Sequence, residues 1–459
     1  MKTNRKPKRP VIKTHGGGRA VHINAEQQLA RSVMACMLWE DGFYEDGQSI
    51  ASRIVDHTHA CSADKAMEIA IRARTQGKLR HVPLLVMREL ARHADKPLIG
   101  DALAQVIQRA DEITEFVALY WRDGKQPLSA QVKKGLAMAL GKFDEYQLAK
   151  YDRANAAVRL RDVLFLTKAK PQTQEQAVLW RKLANNQLTA PDTWEVNLSA
   201  GKDKKATFTR LLEEGKLGYL ALLRNLRLMH ENGVSHKLIR KALIDGKGKD
   251  RVLPFRFVAA ANAAPRFEAE IDDAMLSMLN SQTKLPGKTI LIVDVSGSMY
   301  GPRVSRNSDM DRARAACALA AIAREVCEEP VIYATAGSDM RRTHKTALVP
   351  ARRGLALVDA IFKMCQPLGG GGIFLKQVMD FVYEEEQEAD RVIVITDEQD
   401  CSGGGADAPD KANLFAPRNY MINVAQDQNG IGYRKWVHID GFSEAVMAYI
   451  QEVERQQLV

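Results

Sequence analysis

The stretch Lys288-Thr289-Ile290-Leu291-Ile292-Val293 runs directly into Asp294-Val295-Ser296-Gly297-Ser298. Its unbroken apolar, β-rich character is that of a strand buried on both faces, as parallel sheets require. The Asp-x-Ser-x-Ser spacing then sets a carboxylate and two hydroxyls on one loop at the strand's carboxyl edge, where open α/β sheets bind ligands. Hard oxygens of this kind suit Mg²⁺, which takes few protein ligands and keeps its waters. A Ser-rich turn bonding its own backbone gives the same local pattern, so a second acid is needed to separate the two readings. Arg391-Val392-Ile393-Val394-Ile395-Thr396 supplies it, being another apolar strand and ending at Asp397. Both carboxylates can reach one crevice above a parallel sheet. Asp294, Ser296, Ser298 and Asp397 are therefore the candidate ligands of a divalent cation.

Working outward from these strands, a capping-box pattern at Ser308-Asp309-Met310-Asp311 opens a helix running to about Glu328. A strand at 331–333, helices near 354–365 and 374–388, a strand at 420–424 and a last helix from Phe442 to about Gln456 follow. Strand and helix alternate in the βαβ manner, which predicts a mostly parallel, doubly wound sheet over 286–459. Upstream the pattern is helical throughout. Asn24 and Gln27 form a capping-box pair, and Leu29, Val33, Cys36 and Met37 follow at helical spacing. Helices recur to about residue 284, punctuated by Gly77, Pro127, Pro171 and Pro191. Val86-Met87-Arg88-Glu89-Leu90 and Leu222-Leu223-Arg224-Asn225-Leu226 look alike, the mark of stacked helix pairs that offer an extended surface. Residues 1–20 read as a basic flexible tail in which Lys2, Arg5, Lys6, Lys8 and Arg9 could contact phosphate. The expected division is thus 1–20, 21–285 and 286–459.

Charge follows that division. The whole chain is +10, but residues 286–459 carry 19 Lys+Arg against 24 Asp+Glu, and residues 1–285 carry 47 against 32. A basic half points towards nucleic acid, because neutralising phosphates releases counterions whatever the base sequence; a soluble helical domain that is merely basic is the plainer alternative. The longest apolar run, 315–323, is far short of the ~20 residues of a membrane span. Cys36, Cys61, Cys317, Cys327, Cys365 and Cys401 are scattered without a Cys-x-x-Cys pair, and Pro10 with Gly16-Gly17-Gly18 interrupts any signal-peptide pattern. Reduced thiols and a cytoplasmic location are expected.

Within the basic half, 142–170 is the densest cationic stretch. Lys142, Lys150, Arg153, Arg159, Arg161, Lys168 and Lys170 are interleaved with Tyr146 and Tyr151. Cations supply phosphate contacts and tyrosines stack on unpaired bases, although a solvated helix face carries the same residues. Lys142, Lys150, Tyr151, Arg153, Arg159, Arg161, Lys168 and Lys170 are the candidate RNA-binding set. Gly369 to Gly372 precedes a helix and could bring backbone amides to an anion. It lacks the Lys-Ser/Thr of a P-loop, and Gly287-Lys288-Thr289 enters a strand instead of a helix. On a helix only His57 and Cys61 share a face, with His59 pointing elsewhere, so these three read as ordinary helix residues. No nucleophile, base or carboxylate pair has a catalytic arrangement. The competing readings are a metal-dependent protein-interaction scaffold and a metal-dependent nuclease.

Several blocks together resemble the Ro autoantigen family, a TROVE module of helical repeats followed by a von Willebrand A domain. They are His15-Gly16-Gly17-Gly18-Arg19-Ala20, Phe43-Tyr44, Lys150-Tyr151, Leu160-Arg161-Asp162-Val163-Leu164, Lys170-Pro171, Ala221-Leu222-Leu223-Arg224-Asn225-Leu226, the Asp294 loop, Thr396-Asp397 and Asp440-Gly441-Phe442. The resemblance implies an α plus α/β fold, with a HEAT-like helical ring, monomeric, closed by a Rossmann-like A domain. It implies a non-catalytic RNA-binding protein of RNA quality control. Such proteins bind small noncoding Y RNAs on a basic outer face, and single-stranded ends of misfolded RNA in the central hole; bacterial relatives tether polynucleotide phosphorylase through the Y RNA. Two departures stand out. The threonine that completes an A-domain metal site is replaced at the candidate positions Gly372 and Ile373. The family's RNA-contacting histidine is replaced by Arg159 or Leu160, depending on one gap.

Overall fold

The computed structural model describes residues 11–35, 47–93, 97–152, 155–301, 303, 310–425, 429–441 and 445–457. Within it the chain divides into two compact units, one of residues 25–39 and 47–274, the other of residues 1–24, 40–46 and 275–459.

The first unit is helical from Ala25–Ala35 to the helix Pro254–Ala263. Through its first ten helices, each packs mainly on its next or next-but-one neighbours, the arrangement of stacked helix pairs. One continuous core runs from Leu29 and Val33 through Phe116 and Leu136 to Leu183. The two look-alike helices each bury the corresponding stripe, with Val86, Met87 and Leu90 in one and Leu222, Leu223 and Leu226 in the other. Their polar positions diverge: Arg88 is buried and Arg224 is exposed. Local signals set the helix ends. Ser62, Ser129, Asp144 and Thr173 each accept a backbone amide three residues on, satisfying donors that a helix start leaves orphaned.

The second unit is built on a six-stranded sheet of β1 (Leu285–Asp294), β2 (Cys327–Ser338), β3 (Thr343–Leu348), β4 (Arg391–Thr396), β5 (Arg418–Asn423) and β6 (Val437–Asp440). The order is β3-β2-β1-β4-β5-β6, parallel throughout except for the antiparallel β2–β3 edge. The helix Leu375–Glu386 covers one face through Leu375, Val378, Met379 and Val382, packed on Ile290, Ile292 and Val394. The helix Arg312–Glu325 packs on β1, β2 and β4. All six residues of β4 and the last six of β1 are buried. The α plus α/β fold class is as the sequence indicates. β1 begins at Leu285, β2 is several residues longer than the 331–333 run suggests, and the helix after Asp311 ends at Glu325. β3 and β6 are additions to the sequence reading. The first is half exposed and the second only four residues long, so neither carries a strong apolar run.

The expected basic tail over 1–20 is not a tail along its second half. Residues 1–10, with Lys2, Arg5, Lys6, Lys8 and Arg9, lie outside the described residues, as do Cys36, Met37, Phe43, Tyr44, Arg153, Ser308, Asp309 and Phe442. From Val11 the chain forms a small hairpin, with Lys13 bridged to Arg19 and Gly17 turning in the left-handed region at φ 89°. This hairpin is hydrogen-bonded into the sheet unit, and the compact division assigns it there. Cys61, Cys317, Cys327, Cys365 and Cys401 are free thiols. No helix among the described residues is long and apolar enough to cross a membrane.

Candidate metal centre and nucleic-acid interface

β1 and β4 lie side by side with Val293 paired to Ile395, so their next residues, Asp294 and Thr396, meet at the sheet's carboxyl edge. Thr396 Oγ1 donates to Asp294 Oδ2 at 2.6 Å, and the Ser296 amide donates to Asp294 Oδ1 at 2.8 Å. Ser298 Oγ donates to Asp397 Oδ2 at 2.6 Å and lies 3.2 Å from Ser296 Oγ. The structure thus gathers Asp294, Ser296, Ser298 and Asp397 around one point. Both carboxylates are fully buried. Burial, and then the negative charge of Asp397, push the Asp294 carboxyl well above the ordinary range. Two buried carboxylates with hydroxyls turned towards them are a hard, oxygen-only donor set. Its chemistry is of the kind Mg²⁺ accepts, and Asp294, Ser296, Ser298 and Asp397 are the residues that would hold the ion.

The glycine run bears on this site differently from the expected anion cradle. The amides of Gly369, Gly370 and Gly371 donate to the carbonyls of Gln366, Cys365 and Gly337, and Gly372 donates to Asp339 Oδ1 at 2.8 Å. None of the four is left for a ligand. The run instead backs the Ser-x-Ser loop, where Gly297 donates to the Gly371 carbonyl at 3.3 Å. The following helix has its own anion: Asp400 Oδ2 accepts from the Leu375 amide at 2.7 Å. The absent threonine also has a steric counterpart. A Cβ at Gly372 would collide with Cys401 Sγ, and Ile373 is wholly buried. Cys401 fills the space that a side chain at Gly372 would need.

Behind Asp397 lies a group that sequence reasoning missed. Glu398, at φ 59°, turns its buried carboxylate onto His438 of β6, and His438 Nδ1 lies 3.4 Å from Asp440 Oδ2. Burial alone would depress this imidazole, but Asp440 and Glu398 outweigh it and hold its pKa at about 9. The only sequence signal was a His-x-Asp pair in a four-residue strand.

In the helical unit the candidate cations separate by what they already do. Lys142 Nζ donates to the Ala104 carbonyl at 2.7 Å and to that of Ile107, closing the helix Ile99–Val106, and its pKa is depressed mainly by burial. Lys150 pairs with Glu195 at 3.5 Å. Arg159 binds Asp152 at 2.6 Å and Leu160 is fully buried, so neither position presents a spare cation. Tyr151 lies under the Arg109 guanidinium, 4.9 Å from its ring centroid. Arg161, Lys168 and Lys170 make no ion pair among the described residues. They flank Phe165, which is 59% exposed and sits one turn from Arg161 on the helix Leu160–Thr167. Phe165 was overlooked because an aromatic in an amphipathic helix reads as core; only its place opposite Leu160 and Val163 marks it as outward-facing.

Residues 170–355 match the family model described as TROVE domain, a span that begins in the helical unit and ends beyond β3. The crystal structure of the Ro (Rsr) protein of Deinococcus radiodurans is similar over 93% of this chain and 99% of that one, with a TM-score of 0.58 at 17% identity. Residues 170–355 are thus similar to a TROVE domain, and the chain's fold is similar to that of the Ro protein. The chain is also 35% identical over 89 residues, 18% of its length, to telomerase protein component 1 of Rattus norvegicus and of Mus musculus. It spans about 3% of the length of those relatives.

Proposed function

We propose that this chain is a non-catalytic RNA-binding protein. It takes small structured, Y-like RNA and the single-stranded ends of misfolded RNA, and acts in cytoplasmic RNA quality control with an exoribonuclease such as polynucleotide phosphorylase joined through the RNA. One observation carries the reading: Arg161, Lys168 and Lys170, which make no ion pair among the described residues, lie within five positions of the exposed Phe165 in the sequence. Cations that hold phosphates beside an aromatic face that stacks a base are the elements of single-strand binding. The TROVE match and the +15 balance of residues 1–285 agree with it. Binding of a hairpin RNA with a frayed 3′ end, followed by fluorescence anisotropy across a salt series, tests it. Affinity falls steeply with salt, and Arg161→Ala and Lys168→Ala each flatten the log–log slope by about one unit. A salt-independent signal, or Mg²⁺-dependent cleavage of the RNA, overturns it.

The buried Asp294–Asp397 pair favours a second role, a Mg²⁺ at the sheet edge that captures a partner's carboxylate. In that reading RNA affinity is negligible and partner capture disappears with chelator.

A further inference from the structure

Three side chains of the helical unit converge without serving either role above. His59 lies in the last turn of the helix Gly47–Ala60, and Glu89 and His93 stand one turn apart on the helix His81–His93. Their ligand atoms all lie within 4.8 Å of one another. His59 Nε2 is 3.1 Å from Glu89 Oε2, and His93 Nε2 is 3.7 Å from the same oxygen. The two rings meet edge-on, 4.8 Å between centroids. Glu89 is 3% exposed, whereas both imidazoles open to solvent.

The carboxylate is held for this arrangement. Its other oxygen, Oε1, takes Arg88, whose guanidinium also binds Asp123 and, at 3.1 Å, the Leu119 carbonyl. Arg88 therefore fixes the rotation of Glu89 and leaves Oε2 facing the histidines, as a supporting partner does for a metal-bound carboxylate.

We propose that His59, Glu89 and His93 form a binding site for a borderline divalent ion of the Zn²⁺ class. Two imidazole nitrogens and one carboxylate oxygen are donors that Zn²⁺ accepts and Mg²⁺ does not prefer. Ligand atoms about 2.1 Å from a tetrahedral zinc lie roughly 3.4 Å apart. The two separations to Glu89 Oε2, 3.1 and 3.7 Å, bracket that value, and rotation of the exposed His93 ring closes the third. Both histidines sit at helix carboxyl ends, where the backbone dipole favours a cation. The ion would join the helices Gly47–Ala60 and His81–His93 and leave its fourth position to water.

The full chain, stripped with chelator and held in excess Mg²⁺ to saturate the oxygen site, is titrated with Co²⁺. About one equivalent gives the visible absorption of tetrahedral Co²⁺, displaced by Zn²⁺, and Zn²⁺ raises the thermal unfolding midpoint. His93→Ala and His59→Ala each weaken binding roughly tenfold or more and remove the Zn²⁺-dependent shift, while His57→Ala keeps both. His93 is exposed, so its replacement leaves the helical circular dichroism and the metal-free midpoint near wild type. Absorption and shift that survive His93→Ala, or no such Co²⁺ spectrum in the wild type, overturn the site; the three residues are then a hydrogen-bonded ion pair.

Discussion

The amide of Gly18 donates to the carbonyl of Asp400 at 3.0 Å, tying the first described residues to the loop that follows β4. Thr14 Oγ1 reaches the same carbonyl at 2.7 Å, and the His15 amide donates to Gln399 Oε1 at 2.8 Å. Gln399 in turn donates its amide to Asp397 Oδ1 at 3.1 Å. The His-Gly-Gly-Gly motif is thus a backing layer for the candidate metal loop. Gly16 and Gly18 sit where two backbone segments run in near contact: a Cβ at Gly16 would lie 2.6 Å from Cys401 Sγ and from the Gln399 carbonyl, and one at Gly18 would collide with the Asp400 carbonyl.

Gly16→Ala and Gly18→Ala should therefore detach the hairpin. Each is expected to cost about 1–3 kcal/mol in the unfolding of the sheet unit, the range for overpacking a close contact. Limited proteolysis should cut at 11–21 sooner in the variants. Gly17→Ala separates strain from crowding, since nothing lies near its Cβ position and only its left-handed φ opposes a side chain; its loss should be smaller, about 1 kcal/mol.

Asp294→Asn should abolish Mg²⁺ binding and stabilise the metal-free protein. The Asp294 carboxyl titrates above its unfolded value because of burial and then Asp397. The folded state therefore holds a proton that the unfolded chain has released. Metal-free stability falls as pH rises through that interval, and Mg²⁺ restores it at the upper end. Removing one of the two charges should raise metal-free stability at pH 8 by about 1–3 kcal/mol. Calorimetric Mg²⁺ titration and urea unfolding with and without the ion check both halves.

Much of the sheet unit was legible because its information is local. β1 and β4 are continuous apolar runs ended by aspartates, and burial on both faces leaves no other use for such runs. The four candidate ligands follow from those two strand ends alone. Where the outcome depended on distant partners the sequence was silent. Lys142, Lys150 and Arg159 look like free cations, yet Ala104, Glu195 and Asp152 occupy them. His59 has its partners 30 and 34 positions away, which no helix-face argument reaches. The glycine run reads as an anion cradle until its carbonyl partners are known.

His438 should make stability fall with rising pH, as Asp294 does, but over a higher interval. Its folded pKa of about 9 lies above the unfolded value of 6.5. The stabilisation is complete below pH 6.5 and is lost as pH rises through 9. The difference corresponds to about 3 kcal/mol at most. His438→Gln isolates it: the gap from wild type in urea unfolding should be widest near pH 6 and close above pH 9.5. A gap independent of pH would mean that packing against Tyr433, whose ring stacks 3.7 Å away, is what the histidine supplies.

The last helix is pinned by a buried ion pair. Arg391, at the start of β4, binds Glu454 through Nε at 2.8 Å and Nη2 at 2.6 Å, and gives its remaining nitrogen to Pro286 and Thr289. Arg391→Met leaves the Glu454 carboxylate with only Arg418, 3.8 Å away, and the Tyr420 hydroxyl at 3.1 Å, and should cost about 3 kcal/mol. Arg391→Met with Glu454→Leu should recover most of that loss, because a matched apolar pair has no desolvation penalty to offset. Equal losses in the single and double variants would show that the hydrogen bonds to Pro286 and Thr289 dominate.

Phe165 and Arg161 should separate into two distinct contributions to RNA binding. A stacked base is worth about 1–3 kcal/mol and is indifferent to salt, whereas a phosphate contact releases counterions. Phe165→Ala should lower affinity for single-stranded RNA by roughly tenfold while leaving the salt slope intact. Arg161→Ala should flatten the slope by about one unit. Phe165→Tyr keeps the π-face and should retain affinity, and Phe165→Leu keeps apolar area without it and should not. Because Phe165 projects from the helix Leu160–Thr167 into solvent, none of these changes should move the unfolding midpoint by more than about 0.5 kcal/mol, so a loss of affinity can be read as a loss of stacking. If Phe165→Leu binds as tightly as the wild type, the ring stacks on nothing, and RNA would have to be held on this helix by its cations alone.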